Sequence, residues 1–421
     1  MRTHRLLTIV LSFILITGTM QAQMVSETIS IQPGYTHQTF YSLNSGNFSS
    51  VLNTDWDLAF QFRGFAGSIL INSKNNVRLW KAGKSVAQWS SMTTSDTTGI
   101  LSNPANELFN SDTSWNFGAF NRTNNSANAF DLGWGVYDFI THTVTGDSVF
   151  FIKIGRNDYR KLMIENLAGL SYVYTFRWAN LDGTGETSAT MAKSSYPGKF
   201  FGYFSLVNNT GIDREPAYSA WDLSFCQYMA LSPTTYKVAG ILSGDSIFVA
   251  KAYPVDPVGA TPAGLTFNRE INTIGYDWKT YDLPTNSWII ADSTVFFVKD
   301  RSNTVWKMII TGFGGSANGN FEFDKGPAIP AGVSEQNEVR SFGCYPNPAA
   351  DFTRIVLDVQ RPGPVELSVV DLNGRLCETR MFDVLSGLQT LDLSTALLNP
   401  GVYLLQIRLG GALLQQKLVK Q

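Results

Sequence analysis

A chain of 421 residues that is 44% hydrophobic and only 16% charged can bury sizeable cores and is too apolar for disorder. Its 32 lysines and arginines against 34 acids exclude a polycation built for nucleic acid or an anionic surface. The few charges and the abundance of Ser, Thr, Asn and Gly fit an extracellular β protein, whose strands favour Thr and aromatics and whose turns need Gly and Asn.

The first element reads as a leader. Arg2, His4 and Arg5 make a basic start, Leu6 to Gly18 is almost wholly apolar, and Met20-Gln21-Ala22 offers a cleavage site. Residues 1–22 are therefore expected to be a signal peptide and are left out of the fold. The run is shorter than the ~20 residues a membrane span needs, and no later segment is apolar enough to cross a bilayer.

Next comes an internal repeat. Asp55-Trp56-Asp57-Leu58-Ala59-Phe60 is answered by Ala220-Trp221-Asp222-Leu223-Ser224-Phe225, and Phe120-Asn121-Arg122 by Phe267-Asn268-Arg269. Trp134-x-x-Tyr137-Asp138 returns as Trp278-x-x-Tyr281-Asp282, and the run from Asp147 to Lys153 returns from Asp292 to Lys299. Four blocks in one order predict a duplicated domain, residues 23–190 and 195–327. Trp56, Leu58, Phe60 and Phe62 alternate with Asp57 and Gln61, the period of a half-buried strand. Val149 to Ile154 is apolar on both faces, and Gly155-Arg156-Asn157-Asp158 turns it back into a partner strand through Ile164. Gly312 to Asn320 is glycine-rich with no helix behind it, which predicts a hairpin loop and not a phosphate cradle.

Residues 328–343 read as a linker, beginning in a Gly/Pro-rich run. Beyond it, segments 354–359, 365–371, 388–393 and 402–409 read as strands of a small sandwich, with turns at 361–364, 373–374 and 399–401. The fold class is all-β: two similar antiparallel β domains followed by a small C-terminal β-sandwich. Cys226, Cys344 and Cys377 make no disulfide framework and read as core or incidental, a Cys344–Cys377 bridge being the alternative.

The tail carries Tyr345-Pro346-Asn347-Pro348, then Asp371-Leu372-Asn373-Gly374-Arg375, then Gly401-Val402-Tyr403, with Lys417 near the end. In this combination residues 344–421 resemble the type A C-terminal sorting domain of the type IX secretion system of Bacteroidetes. The resemblance implies passage through the periplasm, recognition by the secretion machinery and removal by its sorting-domain peptidase. It also implies release or attachment to surface lipopolysaccharide. Tyr345, Pro346, Asn347, Pro348, Asp371, Gly374, Arg375, Gly401, Tyr403 and Lys417 are thereby assigned to structure and recognition. The two halves resemble the HmuY-like family, secreted all-β proteins whose best-known members bind haem. The Trp-Asp-Leu-x-Phe strands and the hairpin from Phe150 to Ile164 carry that likeness.

Haem needs an axial ligand, most often His and in some proteins Met. Past the leader only His37 and His142 remain, and His142, Met163 and Met308 are the candidate ligands. Core packing is the competing reading for both methionines. Trp80, Trp89, Trp115, Trp134, Trp278 and Trp288 are candidates for a cleft as well as for the core. There is no GxSxG, HxxxH or acidic calcium loop, so no metal and no catalytic residue is assigned. A hydrolase with paired carboxylates stays open, Asp55, Asp57 and Asp222 being its acids. The expected function is a secreted or surface binding protein for haem or another small hydrophobic ligand. The alternative is a structural or adhesive protein that binds glycans or proteins.

Overall fold

The computed structural model describes residues 24–328, 339–359, 362–371, 374–409 and 412–421. The expected signal peptide and residues 329–338 of the expected linker lie outside the described residues. The linker's bound at 343 is corrected, because 339–343 already belong to the strand Val339–Tyr345. The described chain forms two compact units, 24–328 and 339–421, both built of antiparallel sheet, so the all-β class is borne out.

The larger unit holds two sandwiches. In the first, Thr187–Ala192, Val173–Asn180, Asp158–Ala168, Ser148–Ile154 and Arg78–Ser85 lie side by side. They share a core with the sheet Thr210–Ile212, Phe201–Ser205, Leu58–Gln61 and Ile69–Ile71. In the second, Val25–Ser30, Asn320–Pro327, Val305–Phe313, Val295–Lys299 and Phe248–Ala252 form the five-stranded sheet. Its four-stranded partner is Phe48–Leu52, His37–Tyr41, Leu223–Ala230 and Tyr236–Ser243.

The two sandwiches correspond strand by strand. Phe150 faces Leu162 where Phe296 faces Met308. The following strands each slip register at the same place, after Ile164 and after Ile310.

This arrangement corrects the two domains 23–190 and 195–327. The first repeat's opening strands, within 25–52, complete the second sandwich, and the second repeat's opening strands, within 187–212, complete the first. The repeats have exchanged their arms. The reason lies in chain connection. The strand Thr187–Ala192 follows Val173–Asn180 through a short turn and pairs straight back onto it, because closing a short loop is the least costly pairing. The arm is thus kept on the first body, and the N-terminal arm fills the vacancy on the second. Ile29, Ile31, Tyr41 and Leu43 are fully buried there, each contributing roughly 1.5–3 kcal/mol.

The repeated aspartates lock the exchange. Asp57 N–H donates to Phe204 O at 2.9 Å and its Oδ2 accepts from Leu206 N at 2.7 Å. Asp222 N–H donates to Tyr41 O at 2.8 Å and its Oδ2 accepts from Leu43 N at 2.8 Å. The strand after Asp57 is buried on both faces, not half-exposed as its alternation suggests. Its outer face packs with Trp56, Leu70, Phe201 and Tyr203 in a second cluster.

In the smaller unit, a three-stranded sheet (Val339–Tyr345, Phe352–Val359, Gly387–Ser394) shares a core with a four-stranded one (Leu376–Val384, Gly363–Asp371, Gly401–Leu409, Ala412–Lys420). The sandwich is as expected, with three more strands than its sequence shows. Cys344 and Cys377 lie in different sheets as free thiols, so the bridge between them is not formed. Cys226 is buried, and burial pushes its thiol up to about 12, leaving it inert as a nucleophile.

Candidate functional site

Each sandwich carries a hairpin over an open cleft, and the two hairpins are counterparts. In the first, Gly135–Asp138 pairs with Thr143–Gly146, Tyr137 facing Val144. In the second, Lys279–Asp282 pairs with Ser287–Ile290, Tyr281 facing Trp288. His142 and Asn286 occupy the same left-handed turn position, at φ 54° and 53°. Tyr137 OH meets His142 Nδ1 at 2.8 Å, and Tyr281 OH donates to Asn286 Oδ1. Asparagine thus does the same local work as histidine, so fastening the turn accounts for the Nδ1 contact and leaves Nε2 for any ligand.

The first cleft encloses about 470 Å³ and is lined by Phe65, Phe130, Leu132, Val144, Leu167 and Leu170, with Tyr137 and His142 among the polar groups. Phe65 is 96% exposed, Leu170 88% and Ile140 76%. The turn that carries Phe139 and Ile140 is held by Asp138, whose Oδ1 accepts from Ile140 N at 2.7 Å and Thr141 N at 3.0 Å. These bonds hold the Asp138 carboxyl below its ordinary range. Its hydrophobic side chains are therefore presented on a fixed loop.

The second cleft encloses about 490 Å³ and is lined by Tyr35, Tyr236, Tyr276, Tyr281, Trp288 and Phe313, with Gln227, Lys237, Asp277, Lys279 and Thr280. Trp288 stands where the first sandwich has Val144, and Phe313 where it has Leu167. Lys279 Nζ donates to Ala239 O at 2.6 Å and lies 4.1 Å from the Trp278 ring centroid. Burial pushes its amine down to about 7. The glycine-rich segment forms one helical turn, Gly315–Asn318, against this site. A Cβ on Gly315 would stand 2.7 Å from Trp288 Nε1, and one on Gly319 would stand 2.4 Å from Gln32 O. Glycine there permits close packing, as a loop joining two strands requires.

The methionine candidates do not reach the first cleft. Met163 packs on the outer face of the first sandwich with Trp80 and Trp89, and Met308 is in the core of the second. His37 lies on the N-terminal arm, its Nδ1 3.0 Å from Thr36 Oγ1. Of the six tryptophans named as candidates, Trp80, Trp89, Trp134 and Trp278 are core, Trp115 joins the sandwiches through Ser243 O at 2.8 Å, and Trp288 lines a cleft. The acids do not converge: Asp57 and Asp222 hold backbone amides in separate sandwiches, and Asp55 faces Arg214 at 3.6 Å. Among the described residues no group of three or more His, Cys, Asp or Glu could hold a metal ion, and no helix is long and apolar enough to cross a membrane.

In the smaller unit the tail motifs divide between local bracing and exposure. Asn347 Nδ2 donates to Lys417 O at 2.7 Å and its Oδ1 accepts from Val419 N at 2.9 Å, binding the Tyr-Pro-Asn-Pro segment to the last strand. Pro346 O accepts from Thr353 Oγ1 at 2.8 Å, and Pro348 follows beside it. Asp371 Oδ1 accepts from Arg375 N at 2.9 Å across a turn in which Gly374 has φ 82°. Tyr403 OH donates to Asn399 O at 2.8 Å, beside Gly401. The side chains of Tyr345, Arg375 and Lys417 are exposed. Residues 343–421 match the family described as the secretion system C-terminal sorting domain. The tail is a sorting domain. Its presence means export by the type IX route, through the periplasm, to the cell surface or the medium.

No curated protein matches the chain. Among solved structures it is similar to dimeric latent PorU from Porphyromonas gingivalis, with 11% identity and a TM-score of 0.17. That match covers 66% of this chain and 26% of the other, so the chain spans about a quarter of that protein's length.

Proposed function

We propose that residues 24–328 are the working part of an exported binding protein, and that the first cleft takes a small, largely apolar ligand, with haem the leading case. One observation carries the reading: large hydrophobic side chains gather, exposed, around a cleft of ligand size. Soluble proteins rarely expose contiguous apolar surface without a partner for it, and small-molecule sites fall in this range of volume and lining. His142 Nε2 supplies one axial nitrogen at the cleft, and neither Met163 nor Met308 can supply a second. The site therefore suits haem held from one side, or an apolar ligand without iron. The HmuY-like resemblance of the Trp-Asp-Leu-x-Phe strands is consistent with this. The basic and apolar segment 1–22 supplies the first export step, and the sorting domain the second.

Titration of the purified protein with haemin is expected to give saturable, low-micromolar binding with a shifted Soret band. Leu170→Asp should weaken it by about tenfold or more, and His142→Ala should abolish the Soret shift. Weak, unsaturable association of haemin, and equally of an anilinonaphthalene sulfonate dye, would remove the reading. For export, deleting 344–421 is expected to trap the remainder in the periplasm. Its normal appearance outside the cell would defeat the assignment of the route to the tail.

A further inference from the structure

We infer that the second cleft is a carbohydrate site that takes a short neutral oligosaccharide. The argument stands apart from the reading of the first cleft and rests on how the two differ at matched positions.

The hairpin, its fastened turn and the strand beneath it occur twice, and the first sandwich folds with Val144 and Leu167 where the second has Trp288 and Phe313. Phe313 also serves the core of the second sandwich, but the half-buried Trp288 is larger than the aliphatic residue that suffices at its position in the first. Their rings are also braced. Tyr281 packs edge-on to Trp288 with centroids 5.0 Å apart, Trp288 to Phe313 at 5.1 Å, and Tyr236 to Tyr276 at 5.6 Å. Tyr236 and Tyr281 keep about two-fifths of their surface in water. Rings fixed in place before a ligand arrives lose little entropy on binding.

The charge pattern selects among ligands that stack on aromatics. A cation is disfavoured because Lys279 Nζ already lies 4.1 Å from the Trp278 centroid and 4.6 Å from that of Phe313. The acid at the edge, Asp277, is paired with Lys251 at 2.8 Å. An anion is not favoured either, because Lys279 already turns two donors to Ala239 O and Tyr276 O, and Lys237 Nζ donates to Lys74 O and Asn76 Oδ1. What remains is a neutral ligand with an apolar face for the rings and hydroxyls for the phenols and for Gln227 and Thr280. A pyranose has both, and a cleft of about 490 Å³ is of the right size for a short oligosaccharide.

The test is calorimetric titration of the purified protein with cellotriose, maltotriose, mannotriose and triacetylchitotriose. At least one is expected to bind saturably below ~1 mM, a range that corresponds to a few kcal/mol of affinity. Trp288→Val installs the residue that the first sandwich carries at the matched position, so it should fold, and it should weaken binding by about tenfold. Tyr236→Ala, at a half-exposed ring, should do the same. Leu170→Asp in the first cleft should leave sugar binding unchanged, which separates this site from the other. Absence of saturable binding to all four sugars, or binding that survives both Trp288→Val and Tyr236→Ala, would overturn the inference.

Discussion

Tyr41→Ala is expected to unfold the sandwich formed mainly by residues 223–327 and to leave the one formed mainly by 58–180 protected. Tyr41 is fully buried, with its ring edge-on to Phe225 and Phe323 at 6.1 and 5.6 Å. Its hydroxyl donates to Glu27 Oε1 at 3.0 Å. Removing such a ring costs on the order of 3–5 kcal/mol, enough to consume much of the stability of an ordinary domain. The counterpart is Phe204, in the second repeat's arm, packed edge-on to Phe176 at 4.9 Å in the first sandwich. Phe204→Ala should therefore strip amide-exchange protection from 58–180. Each substitution acts on the other repeat. Hydrogen exchange read by peptide decides it: loss of protection in 58–180 on Tyr41→Ala, with 223–327 spared, would show that the arms are not exchanged.

The sequence displays the duplication plainly, because the Trp-Asp-Leu strand and the Phe-Phe hairpin recur with their spacing. It does not display the exchange. Leu43 and Leu206 follow similar strands and offer the same amide to the same aspartate, so either pairing satisfies the local chemistry. Only the short connection from Asn180 to Thr187 breaks the tie. Met163 and Met308 lie one position apart on the duplicated hairpin. Met308 corresponds to Leu162, and Met163 to Ile309, and a shift of one places a strand residue on the opposite face. The hairpins over the clefts are visible as matched Trp-x-x-Tyr-Asp blocks. The linings are not, because Phe65, Leu170, Tyr35 and Tyr236 arrive from loops and strands far from those blocks. In the tail, Leu376–Val384 escapes a pattern search because most of its side chains are exposed and no apolar alternation marks it.

Stability of the larger unit is expected to pass through a minimum near neutral pH, with opposite limbs owed to Glu215 and Lys279. Glu215 is buried between the sandwiches, where its carboxylate accepts from Phe200 N at 3.0 Å and from Tyr203 OH at 2.9 Å, and burial still raises it to about 7. In the window between its ordinary value of 4.5 and about 7 the folded state holds a proton that the unfolded chain has lost. Stability therefore falls as pH rises through that window, by up to ~1.4 kcal/mol per unit. Lys279 works the other way. Burial lowers its amine from 10.5 to about 7, with Asp277 opposing weakly, so above 7 the unfolded chain holds the extra proton and stability climbs with pH. The climb ends near 10, where tyrosines whose hydroxyls burial has raised, Tyr41 among them, begin to ionise in the unfolded chain alone. Glu215→Gln should flatten the lower limb and Lys279→Met the upper, each by on the order of 2–4 kcal/mol across its window. Urea midpoints at acid, neutral and alkaline pH test this directly. Other lysines lowered by burial, such as Lys325, add to the upper limb, so the reading is its slope. A slope undiminished in Lys279→Met would mean that the amine sits in water rather than under the rings of the second cleft, and the preformed aromatic floor there would have to be abandoned.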